Sequence, residues 1–189
     1  MSVSSVAIIG AGPAGLAAAI QLKRYGIDPL LIEADAVGGL LRNANLVENY
    51  PGFPGGIPGL DLVRLFAGQL EQHAVRITRA RVNSVTTEGE LLRIQADDGS
   101  YLGRILVVAT GSQALAFQDF AIPSAAQPRV LYEILPLLGL QGLHLAIVGA
   151  GDLAFDYALN LGKRNHVFLL NRGVETRCLP LLKERVADN

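Results

Sequence analysis

Short runs of apolar residues, separated by glycine-rich turns, set the pattern of this chain. Residues 6–9 and 145–148 are unbroken apolar runs, which predict parallel strands buried on both faces. Each run is followed by apolar side chains at helical spacing, and then by a second apolar run at residues 29–32 or 166–170. The chain therefore predicts two strand–helix–strand units.

The region between these units shows a different pattern. Residues 34–59 are rich in glycine and proline and predict a long loop of fixed shape with a functional role. Apolar spacing then predicts an amphipathic helix over residues 60–70. Shorter alternating segments separated by turn residues predict further strands at residues 75–77, 82–85, 91–94 and 101–108. These strands form a β-meander inserted between elements of a parallel sheet.

Both predicted units carry a glycine-rich turn between the first strand and the helix. Residues 10–15 (GAGPAG) and 149–154 (GAGDLA) match the dinucleotide fingerprint, in which glycine lets the backbone approach a pyrophosphate at a helix N-terminus. The next strand ends in Glu33 in the first unit and in Asn171-Arg172 in the second. An acid there binds a free ribose 2′-hydroxyl, and an arginine accommodates a 2′-phosphate. The sequence therefore predicts two different dinucleotides, FAD and NADPH, and electron transfer between them.

Composition excludes several other classes of protein. The chain has 189 residues and a net charge of −1, with no basic stripe that would predict nucleic-acid binding. The N-terminal apolar run ends at Gly10 and predicts a strand instead of a signal peptide, and no run is long enough to span a membrane. Cys178 is the single cysteine, which predicts a cytoplasmic protein without an internal disulfide. The three histidines are isolated, so no metal site is expected.

Several motifs in order along the chain resemble the low-molecular-weight thioredoxin reductase family of flavoproteins. They are the two glycine turns, Glu33, the Gly38-Gly39 pair, the segment 48–54 (ENYPGFP), the segment 109–111 (ATG), and Arg172 with Arg177. The resemblance implies an α/β fold of two Rossmann-like units. Residues 1–113 would form an FAD-binding domain with the meander insertion, residues 114–129 a linker and hinge, and residues 130–189 a partial NAD(P)H-binding domain.

The resemblance also implies which residues bind the cofactors. The first glycine turn would line the FAD pyrophosphate and Glu33 its ribose, with Gly38-Gly39 and Asn49 towards the flavin and Thr110-Gly111 closing over it. The implied FAD-binding residues are Gly10, Gly12, Pro13, Ala14, Gly15, Glu33, Gly38, Gly39, Leu40, Asn49, Val82, Ala109, Thr110 and Gly111. The implied NADPH-binding residues are Gly149, Gly151, Asp152, Arg172 and Arg177, with the two arginines near the 2′-phosphate.

The chain also departs from that family. The redox-active C-x-x-C pair would fall at about Tyr132 and Leu135, neither of which can carry out thiol chemistry. In this respect the chain is similar to the thioredoxin reductase-type ferredoxin–NADP reductases, which lack the pair. Leu40 stands where the reductases often have glutamine, and Gly173 where a second arginine is common. Members of the family continue through the rest of the NADPH domain and then return to the FAD domain. The chain is therefore expected to be C-terminally truncated, as a fragment, a natural short form or a chain completed by another.

The function expected from these features is an FAD-dependent NAD(P)H oxidoreductase. It would pass hydride from NADPH to FAD, and electrons on to a non-disulfide acceptor such as a ferredoxin- or flavodoxin-like carrier. No protein side chain is expected to be catalytic, since the cofactors carry the chemistry. Two alternatives stay open: an FAD-binding half-enzyme or regulatory module with little turnover, and a protein that binds NAD alone through Glu33. A homodimer, or a chain completed by another polypeptide, is expected, with no membrane partner.

Overall fold

The computed structural model describes residues 3–114 and 121–188, which form two compact units. The first unit comprises Met1–Arg42 and Leu60–Ser112, and the second comprises Asn43–Gly59 and Gln113–Asn189. The segment Asn43–Gly59, called the arm below, therefore groups by its contacts with the second unit. The domain bounds expected from the sequence stay a prediction, and residues 115–120 of the expected linker lie outside the described residues.

The first unit is built on a six-stranded sheet with the order β3-β2-β1-β6-β5-β4. Its strands are β1 (Val3–Ile9), β2 (Leu30–Glu33), β3 (Ile77–Arg79), β4 (Val82–Glu88), β5 (Leu91–Ala96) and β6 (Gly99–Val108). Its helices are α1 (Pro13–Arg24) and α2 (Gly59–Gln72). Strands β3, β2, β1 and β6 are parallel, whereas β4, β5 and β6 pair antiparallel, so the predicted meander in a parallel sheet is confirmed.

Burial explains the apolar run of β1. Ala7 and Ile8 are fully buried although their side chains point to opposite faces of the sheet. In the neighbouring strand β2, Leu31 and Ile32 are buried in the same way. A strand covered on both faces has no position for a polar side chain, so the predicted burial of these two strands is confirmed.

Strand β3 starts two residues later than predicted because the residues that follow α2 form a turn that closes the helix. Ala74 adopts a positive φ of 50°, and the Val75 N–H donates to the carbonyl of Leu70 at 2.9 Å. This turn closes the helix C-terminus in the left-handed conformation that often ends helices. The chain is therefore free to extend only from Ile77.

The second unit contains β7 (His144–Val148) and β8 (His166–Leu170), which form a parallel two-stranded sheet, with α3 (Asp152–Leu161) and α4 (Pro180–Ala187). Leu145, Ile147 and Val167 pack against a cluster that includes Tyr157 and Leu161 of α3.

The other face of this sheet was predicted incorrectly. Val148, Phe168 and Leu170 are each more than half exposed, although the apolar runs predicted burial on both faces. An apolar run shows that a strand can be covered, and the described residues cover only one face. In the described residues, no helix has both the length and the apolar character of a bilayer-spanning segment.

Candidate functional site

The first glycine turn joins β1 to α1 and packs closely against the end of β6. Gly10 has a φ of +103°, and a Cβ atom there would lie 2.2 Å from the carbonyl oxygen of Ala109. A Cβ at Gly15 would lie 1.9 Å from the Gly10 carbonyl oxygen. Both distances are far below van der Waals contact, so these two glycines are required by the packing of the protein itself.

Gly12 is different, because neither its backbone nor its neighbours require glycine. It caps α1 with φ −73° and ψ 177°, a conformation open to any residue. Among the described residues, no atom outside the local chain lies within 4 Å of the position its Cβ would take. Pro13 follows at the start of α1, and the first turn carries no acidic side chain. The turn therefore presents helix N–H groups and open space, which suits an anion that approaches the backbone.

Glu33 is held at the side of this turn by backbone donors. Its Oε2 accepts a hydrogen bond from the Ala11 N–H at 2.6 Å, and its Oε1 accepts one from the Asp35 N–H at 2.8 Å. Each carboxylate oxygen keeps a second lone pair, which can accept from a sugar hydroxyl. The predicted position of the acid beside the glycine turn is thus observed, and its role in ribose binding stays a prediction.

Two further predicted segments meet the same turn. The Gly38 N–H donates to the Ala11 carbonyl at 2.9 Å, and a Cβ at Gly39 would lie 3.7 Å from the Cα of Gly12. A Cβ on Gly10 would also lie 3.2 Å from the Cα of Thr110. The structure therefore brings together the first glycine turn, the Gly38-Gly39 pair, Glu33 and the 109–110 segment, which are far apart in sequence.

The other predicted FAD-binding residues lie in several different elements. Leu40 is partly exposed in a 3-10 helix at Gly39–Asn43. The Val82 side chain packs against the core cluster of the sheet. Gly111 follows β6 with φ +68°, and Asn49 lies in the arm of the second unit. Their cofactor contacts stay predictions.

The second glycine turn joins β7 to α3 and repeats the plan of the first. The Gly149 N–H donates to the Leu170 carbonyl at 2.9 Å, which fixes the turn against the end of β8. Gly151 caps α3 with φ −95°, and its Cβ position is open to 4 Å within the described part of the chain. The carboxylate of Asp152 accepts from the Leu179 N–H at 2.7 Å, which joins the start of α3 to the start of α4.

The predicted arginines lie on the loop that leaves β8. The Arg177 N–H donates to the Ala150 carbonyl at 2.8 Å, so the backbone of Arg177 lies directly on the glycine turn. Arg172 follows the end of β8, and the Asn171 side chain donates to the Glu175 carbonyl at 2.8 Å. Neither this contact of Asn171 nor the Asp152–Leu179 link was predicted from the sequence. Asn and Asp side chains commonly form hydrogen bonds to nearby backbone groups in loops, and this tendency was the only indication of these contacts in the sequence.

The expected C-x-x-C positions carry no redox chemistry. Tyr132 is partly exposed, and Leu135 begins a short 3-10 helix. Cys178 is the single cysteine of the chain and is half-buried. The chain therefore cannot form an internal dithiol.

Two glycine-turn units, each with parallel strands and a helix capped by an open glycine, define an α/β protein of the dinucleotide-binding class. The chain belongs to the pyridine nucleotide-disulphide oxidoreductase family, whose model matches residues 4–188. It is 32% identical to NADPH-dependent thioredoxin reductase 3 of Arabidopsis thaliana over 197 residues, covering 99% of this chain and 37% of that protein. It is 34% identical to a ferredoxin–NADP reductase of Ignicoccus hospitalis over 160 residues, covering 82% and 52%.

Solved structures agree with this assignment. A crystal structure of Lactococcus lactis thioredoxin reductase in the FR conformation superimposes with a TM-score of 0.85 at 27% identity, covering 98% of this chain and 62% of that chain. The resemblance to the thioredoxin reductases and the predicted fold class are confirmed. The chain spans 37% to 61% of the length of the curated relatives that it matches.

Proposed function

We propose that the first unit binds FAD, that the second binds NADPH, and that the protein is a flavin-dependent NAD(P)H oxidoreductase. The observation that carries this proposal is the pair Gly12 and Gly151. Both cap a helix in a conformation that any residue can adopt, and both face open space among the described residues. Glycine at such a position has no role in packing, and a close-lying pyrophosphate gives it one.

The residues around each turn fit the proposed nucleotide. Glu33 is held as an acceptor for the ribose hydroxyls of FAD, and the first turn of α1 adds no negative charge to oppose the pyrophosphate. In the second unit, Arg172 and Arg177 would pair with the 2′-phosphate of NADPH. Bound together, the two cofactors supply hydride-transfer chemistry, and the protein binds, orients and shields them from water. No side chain is proposed to act as an acid, a base or a nucleophile.

The electron acceptor is proposed to be a one-electron carrier protein. A single cysteine leaves the chain without a dithiol of its own, and the Ignicoccus relative is named for ferredoxin. We further propose that the protein acts in the cytoplasm, either as a homodimer or completed by another chain. A second candidate function is an FAD-binding module with little turnover. The exposed apolar face of β7 and β8 favours this candidate. Parallel sheets are normally covered on both faces, so a sheet covered on one face is a less complete nucleotide-binding unit.

The test is the visible absorption spectrum of the purified protein after incubation with FAD, followed by NADPH without oxygen. The proposed enzyme should be yellow and should bleach with NADPH. The Gly151→Ala variant should keep the flavin absorbance and bleach with dithionite, yet respond weakly to NADPH, because the new Cβ occupies the approach to α3. Gly139→Ala, whose Cβ position is likewise open in the described residues and which is exposed, is the control and should behave as wild type.

The outcomes separate the candidates. A yellow protein that dithionite bleaches and NADPH leaves unchanged would support the flavin-binding module and contradict the oxidoreductase. A protein that acquires no flavin absorbance after incubation with FAD would contradict both.

A further inference from the structure

The arm has too little structure of its own to explain its order. Its internal backbone hydrogen bonds are a Val47–Ile57 pair of 2.8 and 3.0 Å, a bond from the Gly59 N–H to the Ala44 carbonyl at 3.2 Å, and one turn at Gly56. Ordering the backbone and side chain of one residue costs more conformational entropy than one hydrogen bond offsets. Few bonds distributed over the whole arm cannot offset that cost. The order of the arm must therefore come from its anchors to the rest of the second unit.

The first anchor is Asn43, whose side chain is 1% exposed. Its Oδ1 accepts the N–H groups of Ile134 at 3.1 Å and Leu135 at 3.0 Å, and its Nδ2 donates to Glu133 at 3.1 Å. Ile134 in turn packs in the cluster with Tyr157 and Leu161 of α3. A buried amide that lost these partners would pay its full desolvation cost, so this anchor holds only while the cluster is folded.

The second anchor is Asp156 in the middle of α3. Its carboxylate accepts the Asn45 N–H at 2.9 Å, and the neighbouring Leu46 N–H also favours its charged form. The Lys163 ammonium donates to the Asn45 side-chain oxygen at 2.6 Å. Burial raises the pKa of Asp156, and the two backbone donors of the arm and the Lys163 charge oppose that rise. The half-buried carboxylate is thus held by donors from the arm.

The third anchor comes from α4. Arg185 donates two hydrogen bonds to the carboxylate of Glu48, at 2.6 and 2.9 Å. This guanidinium–carboxylate pair fixes the arm immediately before Asn49. The two helices that hold the arm, α3 and α4, are joined at their N-termini by the Asp152–Leu179 hydrogen bond, beside the second glycine turn.

We propose that the arm is ordered through its anchors on residues 133–135, α3 and α4, so that a nicotinamide dinucleotide bound at the second glycine turn stabilises the arm. Asn43 and Asp156 are then positioning residues that make the arm respond to occupancy of the nucleotide site. A ligand that binds only the folded second unit lowers the population of every partly unfolded state in which that unit has lost its structure. At about 100 times Kd, exchange through such openings slows about 100-fold. This inference rests on the proposed NADPH site.

The test is hydrogen exchange on the FAD-loaded full chain, with and without NADP⁺ at about 100 times its Kd. The hydrogen-bonded amides of Asn45, Val47 and Ile57 should slow together with those of β7 and β8, by up to about 100-fold. In Asp156→Ala the three arm amides should exchange fast with or without NADP⁺, while β7 and β8 still respond. Arg185→Ala, at the surface, repeats the test if Asp156→Ala does not fold. Lys183→Ala, exposed on the same helix, should match wild type.

Each contrary result has a distinct meaning. If NADP⁺ protects β7 and β8 but leaves the arm amides unchanged, the arm opens by itself and the inference is wrong, while the NADPH site stands. If NADP⁺ protects neither, the proposed nucleotide site and this coupling both fail. A Lys183→Ala variant that loses arm protection would also overturn the inference, because the effect would not be specific to the anchors.

Discussion

Replacing Gly12 with alanine tests the proposed FAD site most directly, because the structure predicts little change in folding and a clear loss of FAD affinity. The φ of −73° is compatible with alanine, and the new Cβ would meet no atom of the described residues within 4 Å. The same methyl group would project into the space where a pyrophosphate must approach the turn. The variant should therefore fold normally and bind FAD poorly.

The expected magnitudes follow from the two environments. In the absence of flavin, alanine gains about 0.4–1 kcal/mol by restricting the unfolded chain and loses a similar amount as a poorer helix cap than glycine. The net change should stay within about 1 kcal/mol, which shifts Tm by at most about 2–4 °C in a chain of this size. With FAD, forcing one extra carbon into a close contact costs about 1–3 kcal/mol, which weakens binding about 5- to 150-fold.

The assay combines thermal unfolding of the flavin-free protein with an FAD titration followed by visible absorbance. Gly68→Ala is the matched control, because Gly68 is exposed in α2 and its Cβ position is also open in the described residues. That control should keep wild-type affinity and gain stability, by up to about 1 kcal/mol. A Gly12→Ala variant with wild-type FAD affinity would refute the proposal that the flavin nucleotide lies against this turn. A variant that unfolds without flavin would refute the steric argument itself.

Three further changes probe other parts of the molecule. Gly38→Ala should lower the free energy of unfolding by about 1–3 kcal/mol in denaturant titrations, because φ is +99° and the Cβ would lie 2.4 Å from Val63. Adding Val63→Ala should recover part of that loss, and no recovery would contradict the clash. Because burial raises the pKa of Asp156 above 3.8, the folded state holds that proton more tightly. The unfolding free energy of wild type relative to Asp156→Asn should therefore fall as pH rises from 3.8 through the raised pKa, and an increase would contradict it. Arg177→Ala should weaken NADPH binding about 10- to 100-fold and leave NADH binding unchanged in titrations, and equal losses would refute contact with the 2′-phosphate.

The sequence was sufficient to predict those strands and turns whose local pattern of apolar, polar and turn residues allows one structure. The β1 run predicted its strand correctly because both faces are covered, and the meander followed from alternation and turn residues. The same reasoning was wrong for Val148 and Phe168, since an apolar run cannot show whether a second layer covers it. Helix α4 was not predicted, because eight residues after Pro180 carry too short a pattern to distinguish a helix from a tail.

The anchors of the arm could not be predicted for a different reason. Asn45 and Asp156 are 111 residues apart, and each is an ordinary polar residue in its local sequence. Nothing in the spacing around Asn43 indicates that its side chain is buried. Such contacts depend on which helix the loop meets, and that is decided by the packing of the whole unit.

The glycines of the two fingerprints show what the structure adds to a motif. A match to the pattern cannot tell whether a glycine serves the fold or a ligand, since either explains its presence. The distances separate the two cases: Gly10 and Gly15 face backbone at 2.2 and 1.9 Å and are explained by the fold. Gly12 and Gly151 face open space in conformations that any residue can adopt, so the fold does not explain why they are glycine. The evidence for nucleotide binding therefore lies in the second glycine of each turn, where the protein itself would accept a side chain.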